Sequence, residues 1–374
     1  MNRALAPVPR RPSKPGPEAL EQAPIRVMIV DDSQIARAVL SRMISTHPDL
    51  EVAATAGTAA EALGVLKCVR VDIVLLDVEM PGTSGLEALP QILRRGDGAR
   101  VLIVSSMAED GAEATVRALA LGATDTLPKP GKGTFGGRFS ETLAARLRSI
   151  GRVSGLRAPA LPFEPVSAEP SPIALRPMPH QPLGCLALGA STGGLHALSE
   201  FLRALPREIG APILLTQHLP ASFMPFFARQ IEAASGRLTR LAEHGLPLQP
   251  EQILIAPGDA HLEVRCEGAK TFVRLGHEPA STGCRPSVDP MLWTLGEAYG
   301  ESGLGVVFSG MGRDGLVGSA RLVSLGGAVI VQDQHSSAVW GMPRAVAEAG
   351  LASAVLPPAD LARRVALRAQ GAMA

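Results

Sequence analysis

From residue 25 onward, continuous apolar runs alternate with segments of helical period: IRVMIVDD, LEVAATAG, VDIVLLDV, ARVLIVSS and ATDTLP, each followed by an amphipathic stretch. Val/Ile/Leu runs of this kind suit strands buried on both faces, so the five repeats predict a parallel sheet flanked by helices. The pattern ends near Ile150. Prolines then crowd the chain at 159, 162, 165, 170, 172, 177, 179 and 182 without sustained periodicity, which predicts a semi-extended linker over 151–182. A second alternation follows: CLALGA, APILLTQH, QILIAPGD, TFVRLG, LGVVFSG and AVIVQD. The fold class expected is α/β: two doubly wound parallel-sheet domains, at 25–150 and 183–370, joined by the Pro-rich linker and preceded by a disordered tail over 1–24.

The length of 374 residues accommodates two such domains, and 46% hydrophobic against 19% charged residues fits folded material throughout. Lys and Arg number 36 against 35 Asp and Glu, so no broad positive field attracts a phosphate backbone, and aromatics at 3% leave few platforms for stacking bases. Nucleic acid is therefore not an expected partner. The four cysteines, Cys68, Cys185, Cys266 and Cys284, form no CxxC pair, which fits a reducing compartment. No segment has the apolar length of a secretory signal or a membrane span, so a cytoplasmic, non-spanning protein is expected.

Functional groups in open parallel sheets gather at the C-terminal ends of strands. In the first domain those ends carry Asp31 and Asp32, Asp77, Ser105 and Ser106, and Lys129 before Pro130. Each could be ordinary, since DD before Ser33 could cap a helix and Lys129 could be a surface charge. Together, however, three carboxylates at one edge would repel unless a divalent cation or a lysine neutralised them, and their hard oxygens suit magnesium. The arrangement reads as a metal-assisted phosphoryl acceptor. Residues 25–148 resemble a response-regulator receiver domain. The resemblance implies that Asp77 in LLDVEMPG takes phosphate from a histidine kinase, that Asp31, Asp32 and Asp77 hold Mg2+, and that Ser105 and Lys129 contact the phosphoryl group. Where many receivers carry an aromatic switch residue, this chain has Thr126.

In the second domain LALGASTGGLHAL runs from a strand through a Gly-rich turn into a helix, with Ser191 in the turn. The pattern fits a nucleophile elbow and serves equally as a helix cap or an anion site, although it has neither a P-loop lysine nor GxGxxG spacing. His218 follows APILLTQ and Asp314 follows LGVVFSG, both at strand ends on the edge of Ser191. A serine needs a base, and the base needs a carboxylate to fix its tautomer. His196, on the helix after Ser191, reads as a surface or packing residue; His261, beyond ILIAPGDA, is a second candidate for the rim of the site.

GASTGG, TQHLP, APGDAH, RPSVDPM, SGMGRDG and VQDQHSSAVWGMPRAVAEAG make residues 183–370 similar to the catalytic domain of chemotaxis-type protein-glutamate methylesterases. The resemblance extends to the order of receiver, linker and esterase. It implies that methyl-accepting chemoreceptors are the substrate and that their glutamate methyl esters are hydrolysed by Ser191, His218 and Asp314 without a cofactor. Thr192 and the Met311 amide would be the oxyanion donors. Deamidation of receptor glutamines is implied as well, and a chemotaxis histidine kinase is the implied phosphodonor. Cys284 stands before RPSVD where the family often has histidine. The rival readings are an adaptor without catalysis, an esterase or amidase for another substrate, and a transcription regulator, for which no basic helix-turn-helix follows the linker.

Overall fold

The computed structural model describes residues 23–105, 109–129, 137–151, 173–268 and 270–371. Ser106, nearly all of the expected tail and the linker from 152 to 172 lie outside the described residues.

The first unit runs β1 (Ile25–Val30), α1 (Gln34–Ser45), β2 (Leu50–Ala56), α2 (Ala59–Val65), β3 (Ile73–Leu76), α3 (Gly85–Arg95), β4 (Arg100–Ser105), α4 (Glu109–Ala120), β5 (Asp125–Pro128) and α5 (Gly137–Gly151). Its strands pair in parallel in the order β2-β1-β3-β4-β5. Both faces of the central strands are covered: Val27 and Ile29 pack in one cluster and Met28 and Val30 in another, each almost fully buried. Every such side chain contributes roughly 1.5–3 kcal/mol, which is why the runs are continuously apolar. The chain reverses its direction of winding between β1 and β3, and that crevice is where an open α/β sheet presents its ligand groups. Asp31 and Asp77 stand on its two sides.

The second unit contains β6 (Cys185–Ala190), α6 (Gly194–Ala204), β7 (Ile213–Gln217), α7 (Met224–Ser235), β8 (Thr239–Leu241), β9 (Ile253–Ile255), β10 (His261–Glu267), β11 (Lys270–Gly276), α8 (Val288–Tyr299), β12 (Gly303–Val307), α9 (Leu316–Ser324), β13 (Ala328–Gln332), α10 (Met342–Glu348), β14 (Ala352–Leu356) and α11 (Pro358–Ala369). Seven strands form a parallel sheet in the order β14-β13-β12-β6-β7-β9-β8. Here the winding reverses between β6 and β12, so the turns after these two strands face one crevice.

The run TFVRLG departs from the expected alternation. It is β11, paired antiparallel with β10 as a separate two-stranded hairpin. The two runs are too close in sequence for a helical crossover, which needs a dozen or more residues, and a hairpin is the connection left to them. The described end of the linker is laid on the second unit: the Arg176 N–H donates to the Ala352 carbonyl at 2.9 Å, and Met178 packs against the core.

The two units touch. Ala112, Val116 and Leu119 of α4 share one hydrophobic cluster with Leu195, Leu219 and Phe223.

Candidate functional site

In the first unit Ser33, not an aspartate, caps α1 by accepting from the Ala36 N–H. The neighbouring carboxylates are therefore available for chemistry. Oxygens of Asp31, Asp32 and Asp77 lie within 4.8 Å of one another, with Asp31 and Asp77 buried and Asp32 exposed. Lys129 reaches across from the end of β5, its Nζ at 2.9 Å from Asp31 Oδ2 and 2.6 Å from Asp77 Oδ2. Burial and the nearby Asp31 raise the Asp77 pKa, and the hydrogen bond and charge of Lys129 offset only part of this. One lysine thus leaves the cluster short of positive charge. An all-oxygen set of this kind fits a small hard cation. Ser105 is buried at the end of β4, its hydroxyl directed to the Gly111 carbonyl at 3.4 Å.

In the second unit the turn after β6 is tight because its glycines admit what other residues would not. Gly193 has φ +73° and a Cβ there would strike Ala338; a Cβ on Gly310, after β12, would strike Met342 and, at 2.8 Å, Ser191 Cβ. Gly193 is itself the N-cap of α6, so the Ser191 hydroxyl is not used as a helix cap. It faces His218 Nδ1 at 3.0 Å, while His218 Nε2 lies 2.7 Å from Asp314 Oδ2. The tautomer with its proton on Nε2 donates to the carboxylate and turns the Nδ1 lone pair toward the serine hydroxyl.

Asp314 is fixed by the N-terminus of α8. It accepts from Ser287 Oγ at 2.6 Å and from the Val288 N–H at 2.7 Å, where the helix dipole also favours negative charge. Burial disfavours its ionisation, but the bonds from His218, Ser287 and Val288 outweigh burial and hold its pKa at about 2. Burial likewise works against protonated His218, and is outweighed by Asp314 and the Cys284 thiol, which raise the imidazole to about 9.

The sequence candidates therefore divide. Ser191, His218 and Asp314 come together. His196 is exposed on α6. His261 is not on the rim: it is 1% exposed, its Nδ1 accepting from the Ser287 N–H at 3.0 Å and its Nε2 donating to the Glu278 carbonyl at 2.9 Å. Its place is behind Ser287, which in turn holds Asp314. Met311 is partly exposed and lines a cavity of about 470 Å3 together with Ser191, His218, Cys284 and Arg146.

Thr192 brings in residues that sequence reasoning missed. Its hydroxyl donates to Asp125 Oδ2 at 2.8 Å and accepts from Arg146 at 3.2 Å, Asp125 and Arg146 being paired with each other. The Gly193 N–H donates to the Thr124 carbonyl at 2.6 Å. Thr124, Asp125 and Arg146 all belong to the first unit. No local pattern marks them, because the contact exists only once the two units meet.

Two family profiles match the chain: one described as CheB methylesterase over residues 186–365, the other as Response regulator receiver domain over residues 27–134. A protein-glutamate methylesterase/protein-glutamine glutaminase of Caulobacter vibrioides is 40% identical over 351 residues, covering 92% of this chain and 99% of the relative. One of Paramagnetospirillum magneticum is 38% identical, covering 90% of this chain and 94% of the relative. Among solved structures, the CheB methylesterase catalytic domain of Thermotoga maritima is 33% identical over 49% of this chain and 97% of its own, with a TM-score of 0.48.

Proposed function

The chain belongs to the receiver-linked CheB protein-glutamate methylesterases, and from that premise we propose that Ser191, His218 and Asp314 hydrolyse glutamate methyl esters on chemoreceptors under control of phosphorylation at Asp77. The observation that carries the reading is the unbroken contact from Ser191 Oγ through the imidazole to Asp314.

Ser191 Oγ attacks the ester carbonyl as His218 Nδ1 takes its proton, and Asp314 stabilises the imidazolium that forms. His218 returns the proton to the departing methoxide, releasing methanol. Water activated by the same imidazole then hydrolyses the acyl-enzyme to a free carboxylate. Ammonia leaves in place of methanol when the substrate is a glutamine. Thr192 and the Met311 amide serve as donors to the oxyanion, where charge develops on the carbonyl oxygen. The test is methanol release from methylated receptor membranes; its absence with phosphorylated protein would sink the reading and favour a non-catalytic adaptor.

Asp31, Asp32 and Asp77 are the residues that would hold magnesium, which when bound neutralises the carboxylates and the incoming phosphoryl oxygens. Asp77 accepts the phosphoryl group from a chemotaxis histidine kinase, and Ser105 and Lys129 contact it. This work belongs in the cytoplasm; among the described residues no helix is long and apolar enough to cross a membrane.

The first unit restrains the second. With Asp125 on the Thr192 hydroxyl and Arg146 in the cavity beside Ser191, an oxyanion donor is committed and receptor access is obstructed. Lys129 lies just beyond the strand that begins with Asp125 and bridges Asp31 and Asp77, so phosphate at Asp77 competes for the lysine that anchors this strand end. Arg146→Ala in the full chain is expected to raise unphosphorylated activity about tenfold, which requires a shift of only about 1.4 kcal/mol. A fragment beginning at Ile173 should reach the same level and ignore phosphodonor. It must retain the segment from Ile173 that packs on the second unit, so a start near Gln181 is too late. Equal activity of wild type, variant and fragment would leave the contact without a regulatory role.

The imidazole must be neutral to accept a proton, yet Asp314 and Cys284 favour its charged form. Values of kcat/KM should therefore rise with pH and reach half their plateau near about 9, while Asp314 stays ionised throughout. Cys284→Ser removes one of the two groups that raise the imidazole, so the midpoint should move to lower pH. An unmoved midpoint would show that the thiol does not influence the base.

A further inference from the structure

The esterase mechanism uses His218 and Asp314 but gives Cys284 no step. Its thiol stands beside the imidazole of His218. One donor atom each from His218, Cys284 and Asp314 lies within 4.8 Å of the others. The cluster is open to small solutes. Cys284 is half-buried and lines both the cavity of about 470 Å3 that holds Ser191 and a second, of about 660 Å3, that reaches Asp314.

Among the described residues two groups have donor atoms this close, and their chemistries are opposite. The aspartates of the first unit offer only hard oxygens. The second group offers a thiolate sulfur, an imidazole nitrogen and one carboxylate oxygen, a set that selects zinc over magnesium. Tetrahedral zinc takes sulfur at about 2.3 Å and nitrogen or oxygen at about 2.0–2.2 Å, which places ligand atoms roughly 3.3–3.8 Å apart. Donors within 4.8 Å of one another exceed that spacing by about 1 Å at most.

We propose that His218, Cys284 and Asp314 form a reversible zinc site that inhibits the esterase. Zinc takes one imidazole nitrogen, the Cys284 thiolate and an Asp314 oxygen, with water in the fourth position. The imidazole can then no longer serve both Ser191 and Asp314, so the serine loses its base. Nothing is oxidised or reduced: the thiol proton, and the second imidazole proton where present, go to solvent as the metal binds, and affinity rises with pH.

The test uses the full-length protein, stripped with chelator and kept in excess magnesium so that the aspartate cluster is filled by its own kind of ion. Co2+ and Zn2+ are the probes. Wild type should bind one equivalent of Co2+ with a thiolate-to-metal charge-transfer band, and zinc should displace it. Methanol release should fall in step with zinc occupancy and return on chelation. Cys284→Ser should lose the band and weaken both zinc binding and inhibition by about tenfold or more, each variant being compared with its own metal-free activity. Cys68→Ser and Cys266→Ser, whose exposed thiols lie outside the cluster, should bind as wild type does. Equal zinc titrations of wild type and Cys284→Ser, or a cobalt complex without the thiolate band, would overturn the site. The cobalt band is read without turnover, so its absence bears on the metal site alone. Lack of methanol release by metal-free protein bears on the esterase reading alone.

Discussion

Ser191→Ala is expected to reduce methyl ester hydrolysis by roughly 10³-fold or more while leaving the fold and phosphate uptake unchanged. The hydroxyl makes a single side-chain contact of consequence, the 3.0 Å approach to His218 Nδ1, and caps no helix. Its removal therefore takes away the attacking atom without releasing a structural element. His218→Ala should lose a comparable amount, and the double variant should be scarcely worse, because nucleophile and base act as one unit. Thermal unfolding of each variant, measured beside methanol release, separates chemistry from folding. Retention by Ser191→Ala of more than a few per cent of the wild-type rate would remove Ser191 from the nucleophile's role.

Both sheets were legible in the sequence because a parallel strand buried on two faces must be apolar throughout, as VDIVLL and LGVVF are. The site residues were legible for a related reason: a doubly wound sheet exposes its strand ends at the reversal of winding, and Asp31, Asp77, Ser191 and Asp314 all follow strands that border one. Contacts between distant segments were not legible. That Ser287 and the start of α8 hold Asp314, and that His261 supports Ser287 from behind, depends on a turn folding back across more than twenty residues. The meeting of Asp125 and Arg146 with Thr192 lies further still from any local signal. Thr126, at the position where many receivers carry an aromatic switch residue, is buried on β5 directly beside Asp125, so the strand that lacks the switch is the one that touches the active-site turn.

Asp77→Asn should abolish acid-labile phosphate uptake, both from a cognate histidine kinase and from a small acyl phosphate in magnesium. The amide preserves the size of the side chain but cannot become the acyl phosphate, and it withdraws one of the three carboxylates offered to the metal. The fold should survive the change. Asp77 is buried beside Asp31, and burial together with that neighbouring charge already raises its pKa, so a neutral side chain relieves a repulsion while Lys129 retains Asp31 at 2.9 Å. The functional consequence follows from the contact between the units. A chain that cannot carry phosphate keeps Lys129, β5 and Asp125 in the resting arrangement, so methanol release should stay at its unphosphorylated level whatever phosphodonor is added. Combining Asp77→Asn with Arg146→Ala should restore activity without restoring phosphate, because the obstruction is removed downstream of the signal. Labelling that persists in Asp77→Asn would move the phosphosite elsewhere, and a double variant no more active than Asp77→Asn alone would mean that phosphate acts by a route other than release of the Thr192 turn.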